Sequence, residues 1–369
     1  MKRVLHIILL VAGLALNAIA QPEASWVERD YDFGVIKEES GKATCHLRVV
    51  NTGNAPLLIV KAQAGCGCTS IDYPEAPIQP GDTAAVAITY NPSGRPGQFS
   101  KEVLIFTNTA HKRSHLSITG NVIPTAATLD KQYPLQAGSL RISQQNIPFG
   151  ELIKGQNKTQ YLSAYNASTD TLLVHVSGDK PHLHPALVPD TVPPARVTAL
   201  TAHYLSGHAP LWGLNTDTLT LTCEPLHQPS DTQAGSADIH VMAQVLENFD
   251  RLTDEQRKNA PVVRVDCDDR IDFGTMTAGE TVTRTFTITN KGKDPLAIRR
   301  LWVPEDEGIT VSADRMEIKR DKKATVTITV NTAQIDGELL NVPLTLMCND
   351  PETPRQTIRL VGIIENKRN

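Results

Sequence analysis

Asp272-Phe273-Gly274-Thr275-Met276 is followed by the turn Ala278-Gly279-Glu280 and then by Thr281-Val282-Thr283-Arg284-Thr285-Phe286-Thr287-Ile288-Thr289-Asn290. The last run alternates with period two and is rich in branched side chains, which pack well on a half-buried pleated surface. Asn290-Lys291-Gly292-Lys293 closes it, and Pro295-Leu296-Ala297-Ile298 opens a second apolar run. Asn and Gly tolerate positive φ, so a tight hairpin turn is expected at Asn290 and Gly292. This order of events reads as antiparallel strands rather than βαβ units.

The same order occurs twice more. Asp32-Phe33-Gly34-Val35-Ile36 leads through Gly41 to Asn51-Thr52-Gly53-Asn54 and Pro56-Leu57-Leu58-Ile59-Val60. Pro148-Phe149-Gly150-Glu151-Leu152 leads through Gly155 to Asn166 and Leu172-Leu173-Val174. The Phe-Gly pairs lie roughly 120 residues apart, room for one sandwich of about 100 residues and a connector. The chain is therefore expected to be all-β, with three tandem immunoglobulin-like antiparallel sandwiches over residues 22–123, 141–246 and 262–364, the second diverged. Phe33, Phe149 and Phe273 are expected to fill the cores, and Gly34, Gly150 and Gly274 to permit a bend or close approach. Residues 124–140, with Pro124, Pro134 and Gly138, read as an irregular linker. Residues 247–261 read as a short helical linker, because Thr253-x-x-Gln256 fits a capping box and Pro261 ends the run; a plain tether is the alternative.

Asp32-Phe33-Gly34, Asn51-Thr52-Gly53 with Pro56-Leu57, Cys66-Gly67-Cys68-Thr69 and Pro80-Gly81 stand in that order. This set resembles the bacterial domain of unknown function 1573 family over about residues 25–123. The family's modules are similar to the immunoglobulin-like domains of the ASH and Hydin group, and share architecture with sandwich chaperones of the PapD type. The resemblance implies an exported immunoglobulin-like module, and it brings no established activity. The third copy lacks the Cys pair, and the second keeps mainly Phe149-Gly150 and Asn166.

Lys2 and Arg3, the apolar run to about Leu16 and Ala18-Ile19-Ala20 read as a signal peptide over residues 1–20, with a retained N-terminal anchor as the alternative. Export to the periplasm or cell surface follows, with no membrane span after signal removal. The net charge of −4 is mild and both signs are interspersed, which excludes a basic nucleic-acid stripe.

Chemistry concentrates at Cys66-Gly67-Cys68. Residues i and i+2 of an extended chain point the same way. The pair would form a small, reducible bridge, hold a soft metal such as copper or zinc as free thiols, or merely pack. Two ligands fall short of a closed zinc site. Cys45 alternates with Leu47 and Val49 and reads as core. Cys223 and Cys348 occupy equivalent places in the second and third copies, and Cys267–Cys348 is a candidate bridge. His182-Leu183-His184 would chelate a metal or form a solvated loop between Pro181 and Pro185. Asp82-Thr83-Ala84, Asp170-Thr171-Leu172, Asp190-Thr191-Val192 and Asp217-Thr218-Leu219 look like the O-glycosylation tripeptides of exported Bacteroidetes proteins.

No His-Glu-x-x-His, Gly-x-Ser-x-Gly or phosphate-binding glycine loop occurs. The expected role is a non-catalytic structural or interaction module of the cell envelope, without cofactor, whose partner is another envelope protein or a glycan. The alternatives are thiol-redox or soft-metal chemistry at Cys66 and Cys68, and a sandwich-type periplasmic chaperone.

Overall fold

The computed structural model describes residues 20–227, 232–304, 308–335 and 337–365. The segment read as a signal peptide lies outside the described residues, Ala20 excepted. Each copy of the pattern folds as a two-sheet sandwich around its own buried core.

The first module comprises β1 (Ala24–Trp26), β2 (Asp30–Lys37), β3 (Ala43–Asn51), β4 (Ile59–Ala64), β5 (Thr69–Asp72), β6 (Thr83–Tyr90), β7 (Gly97–Thr107) and β8 (Arg113–Ile123). Its sheets run β1-β3-β6-β5 and β2-β8-β7-β4. After helix α1 (Ala126–Gln132), the second module comprises β9 (Leu135–Ala137), β10 (Leu140–Ile142), β11 (Asn146–Ile153), β12 (Asn157–Asn166), β13 (Leu172–Ser177), β14 (Leu183–Val188), β15 (Thr191–Val192), β16 (Val197–Leu205), β17 (Gly213–Pro225) and β18 (Gly235–Leu246). Its sheets run β14-β16-β12-β10-β9 and β11-β18-β17-β13-β15. Helix α2 (Asp254–Asn259) precedes β19 (Val263–Val265), β20 (Arg270–Thr277), β21 (Thr281–Asn290), β22 (Leu296–Trp302), β23 (Ile309–Ala313), β24 (Glu317–Ile318), β25 (Lys323–Asn331), β26 (Leu339–Cys348) and β27 (Arg355–Glu365). These pair as β19-β21-β25-β23 and β20-β27-β26-β22-β24.

The expectation of wholly antiparallel sandwiches needs one correction. In each module the Phe-Gly strand pairs in parallel with the last strand: β2 with β8, β11 with β18, β20 with β27. The chain crosses between sheets before it returns to that edge, so the last strand arrives running the same way. Each parallel ladder slips at the Phe-Gly pair, between Asp32 and Val35, Pro148 and Gly150, and Asp272 and Thr275. Gly34 and Gly274 adopt φ of +63° and +68°, which a side chain disfavours. The carboxylates of Asp32 and Asp272 accept their amides at 2.9 and 2.8 Å and hold the bulge. Phe149 and Phe273 are buried in the cores, and Phe33 is half-buried against Tyr31 and Phe99.

Asn51, Asn166 and Asn290 are fully buried, and they serve a different purpose from the one expected. None adopts positive φ, and neither do Gly53 and Gly292. Each Asn instead uses its side chain as a hub. Asn51 donates to the carbonyls of Ala55 and Ile78 at 2.8 and 2.9 Å and accepts from the amide of Gly53 at 3.0 Å. Asn290 donates to Asp294 and Ile318 at 2.8 and 3.0 Å and accepts from Gly292 at 2.9 Å. Asn166 repeats this with Asp170, Val192 and Ser168. The glycines serve close approach: a Cβ on Gly53 would lie 2.3 Å from the Gln21 carbonyl, and one on Gly292 would lie 2.2 Å from that of Ala260.

Residues 124–140 are not irregular. Thr125 caps α1 by accepting the amide of Thr128 at 3.2 Å, and Leu135–Ala137 already belongs to a sheet of the second module. At α2, Thr253 and Gln256 exchange both capping-box hydrogen bonds.

Candidate functional site

β4 and β5 are edge strands of opposite sheets, and residues 65–68 carry the chain between them. Cys66 and Cys68 are joined within this turn, with Cα atoms 5.3 Å apart. Cys66 is half-buried and Cys68 is buried. The Thr69 hydroxyl lies 3.7 Å from Cys66 Sγ and 3.8 Å from Cys68 Sγ. Bridged sulfurs carry no proton, so the hydroxyl is the donor. The Asn91 amide donates to the Cys68 carbonyl at 2.9 Å and ties the turn to the end of β6. Beside Cys66 opens a groove of about 250 Å³, lined also by Gln63, Ala64, Ser100, Lys101 and Glu102.

A soft metal at Cys66 and Cys68 would need the bridge reduced, because only a thiolate ligates. Among the described residues no group of three or more His, Cys, Asp or Glu is arranged to hold a metal ion.

The proposed Cys267–Cys348 bridge is not formed; both are free thiols. Cys348 ends β26 and directs its thiol to the Thr353 carbonyl at 3.6 Å, and burial pushes its pKa up to about 11. Cys267 lies in the connection between β19 and β20, where burial and the Asp266 charge raise its pKa. Cys45 and Cys223 are buried free thiols, and Cys223 donates to the Ala137 carbonyl.

His182 and His184 are each claimed by a different carboxylate. His184 is exposed and meets Asp179 at 2.9 Å. His182 is buried and meets Asp217 Oδ2 at 2.9 Å, while Lys180 Nζ meets Asp217 Oδ1 at 2.6 Å. Burial alone would raise the pKa of Asp217, but the hydrogen bonds from Lys180 and His182 outweigh it and hold the carboxyl below its ordinary value. The edge of His182 faces the Tyr204 ring with centroids 5.4 Å apart. Burial, reinforced by the Asp217 charge, pushes Tyr204 up to about 12. Asp217 was grouped with surface tripeptides in the sequence. Its signal was present in β17, where Asn215, Asp217, Leu219, Leu221 and Cys223 alternate inward.

The sequence reading missed the joints between modules. At the first, Glu38 accepts the amides of Gly94 and Thr125 at 2.7 and 2.8 Å and the Thr128 hydroxyl at 2.8 Å. Arg141 then ties α1 to the second module, donating to the Tyr133 carbonyl at 3.0 Å and pairing with Asp130 at 2.5 Å. At the second joint, Arg299 makes a two-point pair with Glu247. The Trp212 ring lies 5.0 Å from the Arg299 guanidinium and 5.3 Å from Lys154 Nζ, a favourable placement for cations on an aromatic face. Arg300 donates to the carbonyls of Trp212 and Leu214 at 3.2 and 2.7 Å.

Gly97 and Gly213 begin equivalent strands, β7 and β17, with φ of +87° and +80°. A Cβ on Gly97 would lie 2.7 Å from Val197 of the next module, and one on Gly213 would lie 2.8 Å from Met347 of the next. Gly337 holds the corresponding place before β26, with φ of +103°, and an added Cβ would meet nothing within 4 Å among the described residues.

Two family models match parts of the chain, one of them an Ig-like domain. Residues 24–122 match the family model described as protein of unknown function (DUF1573). Residues 261–363 match the HYDIN/CFA65/VesB-like Ig-like domain. A solved protein of unknown function from Porphyromonas gingivalis W83 is 19% identical over 61% of this chain and 100% of its own, with a TM-score of 0.46. The ASH/PapD-like domain 7 of human CEP192 is 14% identical over 31% of this chain and 92% of its own, with a TM-score of 0.26. No curated protein matches. Neither family description names an activity, and the Ig-like match suggests a structural or interaction module. Among the described residues no helix is long and apolar enough to cross a membrane.

Proposed function

We propose that the protein is an exported, non-catalytic array of the cell envelope. Its three immunoglobulin-like modules are held at set angles and present edges and loops to another envelope protein or a glycan. The carrying observation is the second joint, where a two-point Arg299–Glu247 pair, two hydrogen bonds from Arg300 and an aromatic ring close to two cations join one module to the next. A flexible tether needs none of these contacts. The basic-apolar-small start of the chain supports export. Calorimetry of the mature chain tests the reading. The second and third modules are expected to melt in one coupled transition that Arg299→Ala splits. Independent melting of the two in the unaltered chain would overturn it.

A second reading places thiol exchange at the Cys66–Cys68 bridge. It is favoured by the unequal exposure of the two sulfurs, one reachable and one buried. Loss of exchange with a small thiol in Cys66→Ser, the fold being intact, is the expected result. Equal rates in that variant and the unaltered protein would end the reading.

A further inference from the structure

We propose that the groove beside the bridge takes an extended peptide carrying a free thiol. The peptide adds as a strand to the open edge of β7 and exchanges with the bridge at Cys66. The inference rests on the thiol-exchange reading and adds to it a substrate class.

β7 is longer than its neighbour on one side. It pairs with β8 along residues 97–106, but β4 covers only residues 103–107, ending where Ala64 faces Val103. Gly65 then turns the chain toward the other sheet, so residues 98–102 have β8 on one side and, among the described residues, no strand on the other. Val197 of the second module packs close to Gly97 at one end of this stretch, and the Cys66 turn lies toward the other. At about 3.4 Å per residue the opening spans about 17 Å, the length of a short strand. Strand addition satisfies backbone donors and acceptors that an open edge leaves to water.

The equivalent stretch of the second module meets the third module. Residues 213–219 of β17 extend past β13, and Arg300 of the third module donates to the Leu214 carbonyl there. In the first module this edge meets the groove instead, with Gln63 and Ala64 on one wall and Ser100, Lys101 and Glu102 on the other. Cys66 is part of its lining.

The exchange balances without a further oxidant. The peptide thiolate attacks Cys66 Sγ, since Cys66 is half-buried and lines the groove while Cys68 is buried. A peptide–Cys66 disulfide forms as the Cys66–Cys68 bond breaks, and Cys68 leaves with the electron pair as a thiolate. The Thr69 hydroxyl, 3.8 Å from Cys68 Sγ, is placed to donate to that charge. Attack of the Cys68 thiolate on Cys66 reverses the step and frees the peptide.

The test uses the unaltered mature protein without oxygen. It is mixed with a reduced Val- and Thr-rich peptide bearing one Cys, with the same peptide N-methylated at alternate residues, or with free cysteine. Acid stops the exchange, and mass spectrometry after trypsin locates the adduct. A reduced thiol forms a mixed disulfide only at the bridge, so the four free cysteines stay silent. The proposal expects an adduct on residues 62–101 that forms at least about tenfold faster with the strand-competent peptide than with the N-methylated one, because docking raises the local thiol concentration. Equal rates for all three would overturn the docking and leave thiol exchange standing. No adduct with any of them would overturn both. Cys68→Ser, loaded at Cys66 with a chromogenic thiol, gives the same comparison of rates without reversal.

Discussion

The guanidinium of Arg299 meets the carboxylate of Glu247 across the boundary between the second and third modules, with Nε to Oε2 at 2.9 Å and Nη2 to Oε1 at 2.6 Å. Both side chains are partly shielded, at 30% and 23% exposure, so the pair lies between a surface bridge and a buried one. Charge-assisted, two-point geometry places it among the stronger hydrogen-bonded pairs. Glu247→Ala is expected to weaken the joint by about 1–2 kcal/mol, after allowance for solvent screening. The lowered midpoint of the coupled thermal transition reads this. An unchanged midpoint would show that the pair contributes nothing to the joint.

Gly213 and Gly337 separate the local cost of a side chain from its cost at a joint. Both adopt positive φ, where an Ala costs about 1–2 kcal/mol through the backbone alone. At Gly213 the added Cβ also lies 2.8 Å from Met347 Sδ and 3.3 Å from Trp302, whereas at Gly337 it meets nothing within 4 Å among the described residues. Gly213→Ala is therefore expected to uncouple the second and third modules in calorimetry, and Gly337→Ala to leave the coupling intact. The same loss of coupling in both variants would contradict the joint as described.

Asn290→Ala removes a fully buried amide that serves Asp294, Ile318, Gly292 and Val262. Two carbonyls and two amides then lose this partner inside the protein. The expected cost is about 2–4 kcal/mol, read from urea unfolding of the full chain followed by tryptophan fluorescence. A cost below about 1 kcal/mol would mean that the loop finds other partners. Ser168, which takes the place of Gly53 in the second module, donates both its amide and its hydroxyl to Asn166, so the hub survives a change in the turn.

Asp217 sets an acid limit on the second module. Its folded pKa lies below the ordinary value because the hydrogen bonds from Lys180 and His182 outweigh burial. The stability it contributes is therefore fully present above the unfolded value, about 4, and is lost as pH falls through the lower folded value. Asp217→Asn is expected to flatten the stability profile below about pH 4. Thermal midpoints from pH 7 to pH 2 read this. An acid limb as steep as that of the unaltered chain would place the titration elsewhere.

The repeat and its strands were legible because they are local. Thr281 to Asn290 alternates residue by residue, and the Phe-Gly pair marks one strand in every copy. The work of Asn51 was not, since its partner Ile78 lies in a distant loop that no local pattern brings close. Asp217 was hidden by its neighbours Thr218 and Leu219, although the inward alternation of β17 carried the signal. The parallel pairing of β2 with β8 depends on how the chain crosses the sandwich, and residue spacing does not encode this. Arg299 and Glu247 are two charges among many in the sequence, and only the packing of one module on another pairs them. The Cys66–Cys68 bridge stood among the readings the spacing left open, whereas Cys267 and Cys348 turned out to be separate thiols.

Whether the modules are held at set angles is read by small-angle X-ray scattering of the full chain beside its Arg299→Ala, Arg300→Ala double variant. One fixed arrangement is expected to fit the unaltered protein at all angles, and the double variant to require a spread of arrangements about the second joint. Scattering from the unaltered chain that already requires such a spread, and that the two substitutions leave unchanged, would contradict a fixed arrangement.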